Sequence, residues 1–173
     1  MPSLVRHPDT PPGAIHTVDA ELQRISGGAV ATFKAIGDVS RLVIPAPAPA
    51  IRTDDLWRTT CFELFMAGEG LSYGEFNLSP SGAWAAYHFD GYRKGMSQID
   101  ASVQIEISST NKVFEIVAKI ESKLPNPAHV GLTAVIEEAD GAIRYWATAF
   151  GPGKPDFHAA AVRSLLFDGV SAE

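Results

Sequence analysis

The chain has 173 residues, 46% of them hydrophobic, enough for one folded core and too few in number for two well-formed domains. Its 14 lysines and arginines face 20 aspartates and glutamates, a net charge of −6, which argues against a nucleic-acid partner, since that affinity rests on clustered positive charge. No stretch reaches the roughly 18 apolar residues of a membrane span. The longest apolar run, Leu42–Ile51, holds three prolines. The N-terminus MPSLVRHPDTPPG lacks the apolar core of an export signal, so the expectation is a soluble, cytoplasmic protein. Cys61 is the only cysteine and can form no internal disulfide.

In chain order, alternating apolar segments predict strands at Ser3–His7, Ile15–Ile25, Ala29–Gly37 and Leu42–Ile44. Turn signals at Pro11-Pro12-Gly13 and Gly27-Gly28 separate them. The Pro45–Pro49 stretch reads as an extended crossing between two sheets, because the 44 residues before it are too few to close a core alone. Further strands are predicted at Cys61–Met66, Tyr73–Leu78, Ala83–Phe89, Val103–Ile107, Val113–Ile120, Leu132–Glu138 and Ile143–Phe150. Asn111 and Asp140-Gly141 mark hairpin turns, where positive φ is tolerated. Asp156–Leu166 reads as a short helix, followed or replaced by a last strand near Ser164–Phe167. The fold class is all-β, a single antiparallel β-sandwich domain spanning residues 1–173.

Period-two alternation assigns faces. Phe62, Leu64 and Met66 share one face of their strand, and Cys61, Glu63 and Phe65 the other. Next, Gly74, Phe76 and Leu78 oppose Tyr73, Glu75 and Asn77. If the two strands are neighbours, Glu63, Glu75 and Asn77 stand together beside aromatic rings. Strand glutamates ordinarily face water and tryptophans ordinarily pack into cores. The functional alternative is a ligand-binding sheet face, to which Trp84 and Trp146 are added because neither alternates with a purely apolar set.

Catalytic and metal signatures are weak. His7, His16, His88, His129 and His158 are scattered, Asp54-Asp55 and Glu137-Glu138 read as surface charge, and Gly151-Pro152-Gly153-Lys154 lacks what a phosphate loop needs. A paired-carboxylate hydrolase through Glu63 and Glu75 is a lesser alternative.

The stretch DLWRTTCFELFMAGEGLSYGEFNLSPSGAWAAYHFDGYRKGM, Asp55–Met96, resembles DOMON-like proteins related to family nine carbohydrate-binding modules, and AVIEEADGAIRYWATAFGPGKPDFH, Ala134–His158, is similar to the closing part of an uncharacterised bacterial DOMON-like group. The resemblance implies a β-sandwich with a ligand site on one sheet or its rim. Related modules stack sugars on aromatic rings, and other DOMON domains bind haem through methionine or histidine. Trp57, Glu63, Asn77 and Trp84 occupy matching motif positions; Arg58, Glu75, Tyr92 and Trp146 are added from the face argument. The expected function is non-enzymatic binding of a carbohydrate or similar polyol, with no cofactor and no metal. Haem held by His88 or Met96, or a protein-interaction module using a sheet edge, are the alternatives.

Overall fold

The structure is a computed structural model that describes residues 1–169. Its strands are β1 (Val5–Arg6), β2 (Ile15–Ile25), β3 (Gly28–Gly37), β4 (Cys61–Ala67), β5 (Tyr73–Leu78), β6 (Trp84–Phe89), β7 (Ser97–Gln98), β8 (Ser102–Ser109), β9 (Val113–Glu121), β10 (Ala128–Glu137), β11 (Ile143–Ala147) and β12 (Leu165–Phe167). They form two antiparallel sheets. The larger, eight-stranded sheet runs β1-β11-β10-β4-β5-β6-β7, with β12 also on β10; the smaller runs β2-β3-β9-β8. Among the described residues no helix is long and apolar enough to cross a membrane.

Alternation builds the core between the sheets. Phe62, Leu64 and Met66 of β4 and Phe76 and Leu78 of β5 meet Phe33 of β3 and Phe114, Ile116 and Ile120 of β9, all buried. Phe62 lies 5.2 Å from Phe33 and 6.2 Å from Phe114, centroid to centroid. β3 and β9 approach so closely at Gly28 that an added Cβ would fall 1.9 Å from the Ile120 carbonyl oxygen. The β2–β3 and β10–β11 turns place Gly27 and Gly141 at φ 77° and 83°, the left-handed region that favours glycine.

Four local expectations differ from the structure. Leu42 makes one bridge to Glu138 after a 3-10 turn at Val39–Arg41, and no strand follows, since Pro45, Pro47 and Pro49 have no N–H to offer a ladder. The chain then runs extended past β6, pairing Arg52 with Trp84. The expected C-terminal helix is a single 3-10 turn, Ala160–Val162, and β12 follows it. Ser97–Gln98 is an unexpected edge strand beside β6. Glu138, expected on the surface, is 2% exposed: its carboxylate accepts from the backbone N–H of Ala14 and Ile15 at 2.7 and 3.2 Å and faces Arg144, which donates to the carbonyls of Pro11 and Pro12. This ionic knot ties the N-terminal segment to the end of the larger sheet.

Candidate functional site

The second face of the larger sheet points away from the inter-sheet core, yet it is not left to solvent. Its side chains come from five strands whose register is fixed. Glu63 is opposite Asn77 and Thr133, Phe65 is opposite Glu75, Glu75 opposite Tyr87, Tyr73 opposite Phe89, and Val135 opposite Tyr145. Adjacent strands lie about 4.8 Å apart, so these groups form a patch on the order of 15–20 Å wide.

Three connections cover the patch. The first is the 3-10 turn Leu56–Arg58 before β4. The second is the turn after β6, where Arg93 adopts φ 53°. The third is the segment between β11 and β12. Its Val162 carbonyl presses onto Gly131 of β10, where an added Cβ would fall 2.6 Å from that oxygen, and accepts a hydrogen bond from Thr148 at 2.7 Å. Phe157 from this segment packs on Phe65, Tyr145 and Phe150. The last two coverings are pinned together: Asp156 accepts from Arg93 at 2.9 Å and from the Tyr92 hydroxyl at 2.5 Å.

Between sheet and coverings lies a cavity of about 720 Å³, in the range of small-molecule sites. Its floor carries Glu63, Phe65, Glu75, Tyr87 and Phe89, its walls Phe157, His158 and Tyr145, and its mouth Trp57 and Met96. Trp57 is 49% exposed and Met96 64%.

Burial dominates the electrostatics. Glu63 is 2% exposed and is held well above the usual carboxylate range, first by desolvation and then by the charge of Glu75, with the Thr133 hydrogen bond at 3.3 Å opposing. Glu75 is pushed up to about 7 by burial, against the opposing effects of the Asn77 amide and Arg93. Asn77 approaches Glu75 without good hydrogen-bond geometry: it is 0% exposed, and among the described residues neither its amide nitrogen nor its oxygen has a partner. The Cys61 thiol is raised by burial and by Glu63, which leaves it a poor nucleophile.

His158 is pulled down to about 4 by burial and then by Arg93, so near neutrality it is an uncharged imidazole. Its Nε2 lies 3.6 Å from Glu75 Oε2, and this contact is therefore a neutral ring beside a carboxyl rather than an ion pair. Tyr73 orients the ring. Its hydroxyl accepts from the Arg93 backbone N–H at 3.1 Å and lies 2.8 Å from His158 Nδ1; using the hydroxyl as donor there puts the ring proton on Nε2, toward Glu75. Tyr87 donates to Asp54, and burial first, then that carboxylate, raises the phenol's pKa. Among the described residues no three His, Cys, Asp or Glu side chains are grouped to hold a metal ion.

The sequence-predicted site residues divide accordingly. Glu63, Glu75 and Asn77 are brought together on one face, with Trp57 at the mouth. Arg58 and Tyr92 flank the site: Arg58 stacks on Trp57 at 4.9 Å and pairs with Asp55 at 3.3 Å, and Tyr92 holds Asp156. The expectation that Trp84 and Trp146 share the face of the two glutamates is corrected. Trp84 is opposite Leu78 and Trp146 opposite Ala134, so both rings point into the inter-sheet core at 8% and 5% exposure, and Arg52 covers Trp84 at 4.6 Å. His88 is in phase with Trp84 and therefore on the opposite face from the cavity, whereas Met96 lines it. Tyr73 and Tyr87 were within reach of the alternation argument. Arg93, Asp156, Phe157 and His158 come from connections, for which strand periodicity carries no signal.

Neither a protein-family model nor a curated protein matches the sequence. Among solved structures, the chain is similar to a crystal structure from Bacteroides uniformis described as "a putative carbohydrate-binding protein", with a TM-score of 0.61 and 13% identity over 92% of this chain and 82% of that one. At that identity the likeness is one of fold, and it agrees with the antiparallel β-sandwich seen here.

Proposed function

We propose that the chain is a binding domain for a carbohydrate or similar polyol, held in the cavity on the outer face of the larger sheet. The observation that carries this reading is the pair of buried carboxyls, Glu63 and Glu75, set in the floor of an aromatic-walled cavity of about 720 Å³. Two polar groups in a dry floor orient a ligand through its hydroxyls, while Phe65, Phe89, Phe157 and Trp57 offer ring faces to its C–H side. The fold shared with a protein described as carbohydrate-binding supports the same ligand class.

Trp57 is the tryptophan at the cavity mouth, the other two being buried, so its emission reports occupancy. Titration with a panel of mono- and oligosaccharides should give a saturable change for at least one member, weakened roughly tenfold in Glu63→Ala, the upper end of what one lost hydrogen bond costs. Silence across the panel in both fluorescence and calorimetry overturns the reading. Added haemin should give no Soret band; a stoichiometric band lost in Met96→Ala would put haem in the place of the sugar.

A further inference from the structure

The cavity carries a marked sign. Five carboxylates line it, on Asp54, Asp55, Glu63, Glu75 and Asp156, against two cations, Arg93 and Lys154. Arg93 is already committed to Asp156 at 2.9 Å, and Tyr87 donates to Asp54. Among the described residues Glu63 and Glu75, at 2% and 6% exposure, have no cation within ion-pairing distance: the basic group nearest Glu75 is His158, which is uncharged, and Glu63 has only the Thr133 hydroxyl. Beside them stands Asn77, fully buried on the same face, with its carbonyl oxygen and its amide nitrogen both unpartnered. Once its carboxyls give up their protons the floor is rich in acceptors, and aromatic rings stand around it.

We propose that the ligand is a polyol or sugar that bears a primary ammonium, and that this ammonium is seated at Glu63 and Glu75 beside the rings of Phe65, Tyr87 and Phe89. The proposal rests on the polyol reading above and narrows it. An ammonium has three donors and no acceptor, the complement of two ionised carboxylates in the floor of the cavity. A neutral hydroxyl in the same place could pair with one carboxyl oxygen but would leave the buried carboxyls protonated and gain no charge attraction, whereas an ammonium pairs with them as carboxylates.

Protons link to this binding. The ligand-free carboxyls hold protons near neutrality because they are buried, and a seated ammonium drives those protons into solvent. The titratable groups around Glu75 are Glu63 and Cys61 on β4, Tyr73 on β5, Tyr87 on β6 with Asp54 at its hydroxyl and Asp55 beside it, Arg93 in the turn after β6, and Lys154, Asp156 and His158 in the last connection, Asp156 being held by Arg93 and Tyr92. Arg163 lies over the Tyr73 ring at 4.5 Å and adds positive charge on the far side of that ring. Glu75, pushed up to about 7, changes charge between pH 5.5 and 8, Glu63 is displaced in the same direction by burial, and His158, lowered to about 4, stays neutral across that window.

Sorbitol and glucamine differ by one hydroxyl exchanged for an aliphatic ammonium, and glucose and glucosamine repeat the comparison on a ring. Isothermal titration of the whole chain should show glucamine binding at least tenfold more tightly than sorbitol at pH 8. The advantage should shrink several-fold at pH 5.5, and titration at pH 7 in buffers of different ionisation enthalpy should reveal net proton release. Glu75→Gln should cut the advantage to less than threefold, while Glu115→Gln, which removes a carboxylate paired with Lys34 on the smaller sheet, should leave it intact. Equal binding of glucamine and sorbitol overturns the ammonium assignment and leaves the polyol reading standing. Binding of none of the four overturns both.

Discussion

The two faces of β4 and β5 are made by alternate residues of the same strands and are both buried, but they differ in what buries them. The inner face, with Phe62, Leu64, Phe76 and Leu78, is closed by the smaller sheet, an apolar surface of regular strands. The outer face, with Cys61, Glu63, Phe65, Tyr73 and Glu75, is closed by three connections that bring their own rings, carboxylates and guanidinium. Regular strands can pack to the density of a core, whereas connections bridge and leave space. A second face closed by loops is therefore where a cavity forms, and polar groups on it are desolvated without being fully paired.

That contrast breaks first if the inner face proves tolerant. Phe76 is 1% exposed and Trp84 8%, both in the inter-sheet core, so Phe76→Ala and Trp84→Ala should each lose about 3–5 kcal/mol in denaturant unfolding, a cavity-forming cost. A loss under about 1 kcal/mol in Trp84→Ala, the level of an ordinary surface change, would mean that its ring is not part of that core.

The outer face should respond to pH more than to volume. Because Glu75 is raised to about 7 in the folded chain, its contribution to stability is fully present below its unfolded value and is lost as pH rises through 7. His158, lowered to about 4, contributes in the opposite sense: its share is present above the unfolded histidine value and lost as pH falls through 4. The two trends offset each other in weakly acidic solution and hide in the native protein. Glu75→Gln uncovers them. The variant should gain stability relative to the native chain at pH 8 and lose that gain toward pH 5, a swing of as much as about 3 kcal/mol by the linkage of one pKa unit to 1.4 kcal/mol. A flat difference across that window would place Glu75 in contact with water.

Strand periodicity made most of this fold legible. Ile15–Ile25 and Tyr73–Leu78 agree with the structure to the residue, and the two hairpin turns lie where Asn111 and Asp140-Gly141 put them. Alternation also carried Glu63, Glu75 and Asn77 to one face. It failed for Trp84 because period-two phase is defined only within a strand; relating one strand to the next needs the register, and the turn Ser79–Ala83 sets Trp84 opposite Leu78 rather than Asn77. It failed for Arg93, Asp156 and His158 because tertiary packing, not periodicity, brings connections onto a sheet.

The smallest expected effect is also the sharpest separation of binding from folding. Trp57 is half-exposed at the cavity mouth, stacked by Arg58, whose own ion pair with Asp55 is exposed on both sides. Exposed pairs and surface rings contribute about 0–1 kcal/mol, so Trp57→Ala should leave the unfolding midpoint nearly unchanged. Its ring is nevertheless the broad apolar surface at the entrance, opposite the carboxyls of the floor. The same variant should therefore weaken sugar or polyol binding by an order of magnitude, followed by calorimetry because the reporting fluorophore is gone. If Trp57→Ala unfolds the chain, the Leu56–Arg58 turn belongs to the outer-face packing itself. If it changes neither stability nor affinity, the ligand enters without touching the mouth, and the polar floor alone accounts for recognition.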